Sequence, residues 1–177
     1  PLDEADRLVG ENIALNTNGS DNSFPLGIAS FTNDNVIDSG AADRVYHLND
    51  GIIDFVGNSG NRWTNWQRSA RTSGDWAGIL FGTEDKDKVD IVGLKLAIFE
   101  DTGVRYPESY TIEYYTGPNP TKPRRAAQLE IEPDNPLSKD ENWTEVTGLK
   151  ASNFRKNVVN NLSFDKVNTL AIRVKMK

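Results

Sequence analysis

Only one histidine, His47, stands among the 177 residues, and there is no cysteine. A Ser-His-Asp nucleophile system therefore has a single candidate base. Disulfides, thiolate zinc sites and a cysteine nucleophile are excluded, as is any metal centre built on several imidazoles. No HExxH, P-loop or GxGxxG motif occurs. His47 lies in the strand-like run Tyr46-His47-Leu48, which suits a structural or edge-strand histidine better than a catalytic one. Carboxylates are plentiful: the 26 acidic residues leave open glycoside hydrolysis, which needs only two of them at a set separation. A sandwich of about 20 kDa with short loops offers a rim more readily than the deep cleft that distorts a sugar. A small glycosidase therefore ranks below a binding module.

Two other chemistries have residues to support them. Hard cations take oxygens from carboxylates, amides and backbone carbonyls. Asn49, Asp50, Asp54, Asn58 and Asn61 supply such oxygens within one loop, though not at EF-hand spacing. The same residues also suit a turn-rich loop held by its own Asx bonds. Sugar binding needs an aromatic face for the apolar side of the ring and planar polar partners for the hydroxyls. Asn65-Trp66-Gln67-Arg68-Ser69-Ala70-Arg71 supplies both, and Glu100-Asp101-Thr102-Gly103-Val104-Arg105-Tyr106 supplies both again. Trp66 has two open roles, sugar stacking and core packing. For Arg68, Arg71 and Arg105 the commonplace role is a solvated surface charge.

Strands must position these loops. Gly27 to Thr32, Asp75 to Phe81, Val89 to Phe99, Ser109 to Thr116, Trp143 to Thr147, Phe154 to Phe164 and Thr169 to Met176 read as strands, and Glu11 to Leu15 as a short first one. Leu170, Ile172, Val174 and Met176 alternate with Ala171, Arg173, Lys175 and Lys177, which predicts one buried face and one wet one. Trp63 and Trp76 border strand patterns and are expected in the core. Gly117 to Glu141 opens with Gly-Pro-Asn-Pro-Thr-Lys-Pro and cannot pair in a central sheet. No helical periodicity persists for ten residues. The expected fold class is all-β, an antiparallel β-sandwich or jelly roll. Residues 1–10 read as a linker and 11–177 as a single domain.

Net charge is −6, which disfavours nucleic acid as a partner. The basic cluster Lys122-Pro123-Arg124-Arg125 is short enough to be a solvated loop. No apolar stretch approaches the roughly 20 residues of a membrane span. The loops are rich in Asn, Asp, Ser and Gly, which argues against the exposed apolar tips of a lipid-binding surface.

Several segments in order resemble a known family. Leu48-Asn49-Asp50-Gly51, Asn61-Arg62-Trp63-Thr64 and Asp75-Trp76-Ala77-Gly78-Ile79-Leu80-Phe81-Gly82 look like the framework of discoidin-like, galactose-binding-like domains. With Ala29-Ser30-Phe31-Thr32-Asn33 they resemble, more closely, the sugar-binding modules attached to large bacterial surface β-galactosidases. The resemblance implies an eight-stranded jelly roll with ligand-binding loops on one rim. It implies a structural calcium held by the carbonyl of His47, the side chain of Asp50, the carbonyl of Ile52 and Asn61. The Gly51–Trp63 loop is longer than the family's usual one, and the acidic residue that members often place near the last strand has no counterpart in Thr169 to Arg173.

The resemblance also directs attention to Glu100, Asp101, Arg105 and Tyr106, and implies galactose-terminated glycans such as lactose or N-acetyllactosamine. The resulting expectation is a non-catalytic module, monomeric within a multidomain chain that is extracellular or on a bacterial surface. In it Trp66 stacks on the sugar while Asn65, Arg68, Arg71, Asp101 and Arg105 bond hydroxyls. A protein-binding or spacer domain of the same fold is the alternative.

Overall fold

A computed structural model describes residues 10–18, 23–31, 45–57, 61–65, 74–103, 105–124, 131–151 and 155–177. The expected 1–10 linker falls almost wholly outside them, as do Trp66, Arg68 and Arg71. Eight strands are described: β1 (Leu26–Ala29), β2 (Trp76–Leu80), β3 (Val89–Ala97), β4 (Tyr110–Tyr115), β5 (Trp143–Glu145), β6 (Lys150–Ala151), β7 (Val159–Thr169) and β8 (Ala171–Met176). They form a five-stranded sheet ordered β1-β2-β8-β4-β5 and a three-stranded sheet ordered β3-β7-β6. Every pairing is antiparallel. The all-β sandwich expected from the alternation is the architecture found.

The alternation explains the inner core. In β4 and β8, Ile112 pairs with Val174 and Tyr114 with Ile172, so these side chains share one face. They meet Ile91 of β3 and Leu162 and Phe164 of β7, which belong to the same buried cluster. In β3 the register shifts between Ile91 and Gly93, a bulge that leaves Val92 exposed.

The opposite face of the five-stranded sheet is not wet. Leu26, Ile28, Trp76, Leu80, Tyr115, Trp143 and Ala171 form a second buried cluster there, closed by Ile131 and Leu137 of the segment linking β4 to β5. That segment turns through two short 3-10 turns, Pro136–Ser138 and Asp140–Asn142, with Asn135 capping the first through its side chain. In the middle lies Arg173, only 1% exposed. Its guanidinium stands 4.5 Å from the Trp143 ring centre and 5.2 Å from that of Trp76. Its Nε donates to Glu113 at 2.8 Å and its Nη2 to Asp140 at 2.9 Å. The wet face expected for β8 is thus a second core, because the long inter-strand segment folds over it and supplies carboxylates that permit the burial.

Two local expectations are corrected. Glu11 to Leu15 forms a turn, not a strand. It is held by the Ala14 N–H on Asn12 Oδ1 and by Asn16, whose N–H donates to the Asn49 carbonyl. Tyr46-His47-Leu48 belongs to a 3-10 turn, Val45–Leu48. This turn packs on β1 so closely that a Cβ on Gly27 would come 2.2 Å from the Val45 carbonyl oxygen.

Candidate functional site

Antiparallel pairing brings the end of β1, the starts of β2, β4 and β7, and the ends of β3 and β8 to one end of the sandwich. Described residues next to these strand ends form a rim. Three contacts bind it together. Ser30 after β1 donates its hydroxyl to Asp75 Oδ1 at 3.0 Å, and Asn65 donates its amide to Asp75 Oδ2 at 2.9 Å. Trp63 donates its indole N–H to the Phe31 carbonyl at 3.1 Å. The guanidinium of Arg62 lies 5.2 Å from the Phe99 ring centre, which joins this loop to the end of β3. Trp76 is core as expected, at 3% exposure, whereas Trp63 is only half-buried.

The loop after β3 closes on the start of β7. Glu100 accepts from the Tyr106 N–H through Oε2 at 3.1 Å, and its Oε1 is 2.5 Å from Lys156 Nζ. Asn157, at φ 57°, accepts from the Glu100 N–H and donates to the Glu100 carbonyl. The Lys156 hydrogen bond, then that of Tyr106, hold the Glu100 carboxyl below its ordinary value, with the positive charges of Lys156 and Arg105 adding to them against burial. Asp101 is exposed, and its Oδ1 accepts from the Gly103 N–H at 2.7 Å. Arg105 is exposed.

Of the residues singled out for sugar binding, the structure therefore brings Asn65, Glu100, Asp101, Arg105 and Tyr106 to one rim. The Asn65 amide nitrogen and both Glu100 oxygens already bind protein, so these two shape the loops. Asp101 and Arg105 face solvent. Trp66, Arg68 and Arg71 lie outside the described residues.

Arg62 is a rim residue that sequence reasoning did not single out. Its Nε and Nη1 are shielded from solvent and have no hydrogen-bond partner among the described residues. Unmet buried donors of a charged group are costly and look for an acceptor. The signal available in sequence was an arginine inside the Asn61 to Thr64 motif, where it read only as family framework.

The residues implied for calcium occupy a different arrangement. Asp50 is 7% exposed. Its Oδ1 accepts from the Ile52 N–H at 2.8 Å and its Oδ2 is 2.7 Å from His47 Nδ1. Gly51, at φ +85°, makes the turn that aligns these groups, a conformation glycine adopts without strain. The loop thus satisfies Asp50 with its own donors. The donor types, one carboxylate, one amide and two carbonyls, still suit a hard cation, and each carboxylate oxygen retains a second lone pair.

The expectation that polar residues cover the loops is corrected at one place. Ile52, Ile53 and Val56 are 53%, 56% and 65% exposed.

A β-sandwich whose polar loop groups gather on one rim defines a binding domain of the galactose-binding-like class. The model of the β-galactosidase-like, galactose-binding domain family matches residues 27–177, and the chain belongs to that family. A solved structure described with the multiple functions of the architecturally intricate Streptococcus pneumoniae β-galactosidase BgaA is similar. It is 38% identical with a TM-score of 0.78, over 95% of this chain and 89% of that one. No curated protein matches the chain. By family this is a binding domain and not a hydrolytic one. No helix among the described residues is long and apolar enough to cross a membrane.

Proposed function

We propose that the domain is a carbohydrate-binding module that takes terminal galactose of lactose- or N-acetyllactosamine-type glycans on the rim formed by residues 61–65, 99–103 and 105–106. The observation that carries this reading is a rim, held together by Asn65 and Glu100, that exposes Asp101 and Arg105 on a chain from a galactose-binding family. Trp66 is assigned the stacking face, with Arg68 and Arg71 as further hydroxyl partners. Asn65, Glu100 and Tyr106 hold the loops in place and lend any polar atoms they leave over. Arg62, its Nε and Nη1 shielded from solvent, holds the 61–65 segment against Phe99.

A shallow site of this kind binds weakly, with Kd between about a millimolar and tens of micromolar, or roughly 4–6 kcal/mol. The module belongs, on this reading, to a larger glycoside hydrolase such as a bacterial surface β-galactosidase, and holds it against galactose-bearing surfaces outside the cell. A calcium ion at His47, Asp50, Ile52 and Asn61 has a structural role only, stiffening the loop between Gly51 and Trp63.

A glycan array followed by calorimetry tests the reading. Selective retention of galactose-terminated glycans is expected. Silence across the array from a folded, calcium-supplied domain points instead to a protein-binding or spacer domain.

A further inference from the structure

The turn that leads into β7 is anchored from below. Asn160 is 1% exposed. Its Oδ1 accepts from the Arg155 N–H at 2.7 Å, and its Nδ2 donates to the Arg155 carbonyl at 2.7 Å and the Val158 carbonyl at 3.2 Å. The same amide reaches the Leu96 carbonyl of β3 at 3.3 Å. A buried amide satisfied in this way ties residues 155–160 to the sheet. Within the turn, Asn157 stands at φ 57°, the one non-glycine residue in the left-handed region among the described residues. Asparagine tolerates that backbone better than most side chains do. Its own N–H donates to the Ile98 carbonyl at 2.9 Å.

This anchored turn grips the 99–106 loop at a single residue. The Asn157 side chain takes the Glu100 N–H at 2.8 Å and gives its amide to the Glu100 carbonyl at 3.1 Å. Lys156 Nζ lies 2.5 Å from Glu100 Oε1, while Glu100 Oε2 takes the Tyr106 N–H at 3.1 Å. The two ends fixed in this way, Glu100 and Tyr106, are the immediate chain neighbours of Asp101 and Arg105. Both of those face solvent.

We propose that Lys156 and Asn157 are positioning residues of the rim: they hold Glu100, and through it Tyr106, so that Asp101 and Arg105 stand in place before a sugar arrives. The inference rests on the sugar-binding reading and adds to it two residues from a separate segment that touch no sugar themselves. A shallow site gains affinity when its loop need not be ordered on binding.

The test is an NMR titration with lactose of the parent domain and of Lys156→Met, Lys156→Arg and Asn157→Gly, with hydrogen exchange of the Tyr106 amide followed in each. Asn157→Gly keeps the left-handed backbone without steric cost and removes only the side-chain amide. Loss of one or two net hydrogen bonds from the clasp is expected to raise Kd about three- to tenfold in Lys156→Met and Asn157→Gly. Tyr106 exchange is expected to quicken in both. Lys156→Arg keeps a charged donor for Glu100 and is expected to recover most of the affinity. Lys156 is 60% exposed, so Lys156→Met decides the matter should Asn157→Gly fail to fold. Parent affinity in Lys156→Met, unchanged Tyr106 exchange, or a Lys156→Arg as weak as Lys156→Met overturns the positioning role and leaves the sugar reading standing. Failure of the parent domain itself to bind lactose overturns the sugar reading, and the inference with it.

Discussion

Arg173 lies against Trp143, guanidinium carbon to ring centre 4.5 Å, on the face of β8 that strand alternation assigns to solvent. The arginine is buried because four kinds of contact act together: the Trp143 and Trp76 faces, Glu113, Asp140, and the segment folded above them. Removing one partner of a buried ion pair leaves the other uncompensated, at about 3–5 kcal/mol. Arg173→Ala is therefore expected to lower the unfolding free energy measured in urea by about 3–5 kcal/mol. Arg173→Lys is expected to recover only part of this, since an ammonium lacks the planar fork that Glu113 and Asp140 share. An Arg173→Ala variant as stable as the parent would show that the network contributes nothing.

Asp140 gives the same network a pH dependence. Burial works to raise its carboxyl, but hydrogen bonds from Lys175 and Arg173, with their charges, outweigh burial and hold it below the ordinary carboxylate value. A lowered folded pKa means stability that is present above the unfolded value near 3.9 and lost as pH falls through the folded one. Asp140 is 67% exposed, so the effect is about 1 kcal/mol or less. Asp140→Asn is expected to be less stable at pH 7, and the two proteins to converge below about pH 4. Denaturation curves at both pH values check this; a constant gap across the range contradicts it.

Gly78 of β2 pairs with Arg173 across the sheet. A Cβ there would come 2.2 Å from the Ile172 carbonyl oxygen and 2.9 Å from the Arg173 Cα. Both obstacles are backbone and cannot swing away. Gly78→Ala is expected to cost about 1–3 kcal/mol by overpacking. A neutral Gly78→Ala in thermal melts would mean that β2 and β8 can separate without cost.

Calcium is tested through stability. At a free concentration 100 times Kd, a ligand that binds only the folded state adds about 2.7 kcal/mol. Calcium is expected to raise the melting temperature, a chelator to reverse the rise, and Asp50→Asn to abolish it. A melting temperature indifferent to millimolar calcium leaves Asp50 to His47 and Ile52 alone.

Much of this fold was legible because apolar and polar residues alternate along several strands. Leu94, Leu96, Ile112, Ile172 and Val174 show that period and delimit β3, β4 and β8 closely. Glu11 to Leu15 has strand-like composition, but the Asn12 and Asn16 side chains bond local backbone and turn the chain instead. β7 runs past Phe164 through exposed Asp165 and Lys166 to Thr169, because beyond the bulge the ladder with β3 resumes and Val167 packs on the core beside Ile91. The second core was hidden by Arg173, whose burial depends on Asp140, distant in sequence. The rim was legible as composition, in Asp101 and Arg105. Arg62 was not, since the burial of its Nε and Nη1 is a tertiary feature. The Ile53 and Val56 surface was passed over because Asn, Asp and Gly dominate the loops that flank it.

Trp66→Ala is expected to abolish glycan retention with the fold intact, as judged by circular dichroism. Unfolding of this variant would assign Trp66 to the core.

The most direct measurement is titration calorimetry of the folded, calcium-supplied domain with lactose, N-acetyllactosamine and galactose, against mannose as the control. The account predicts a Kd from about a millimolar to tens of micromolar for the galactose-terminated sugars and no heat with mannose. No binding of any galactose-terminated sugar, or equal binding of mannose, would contradict it.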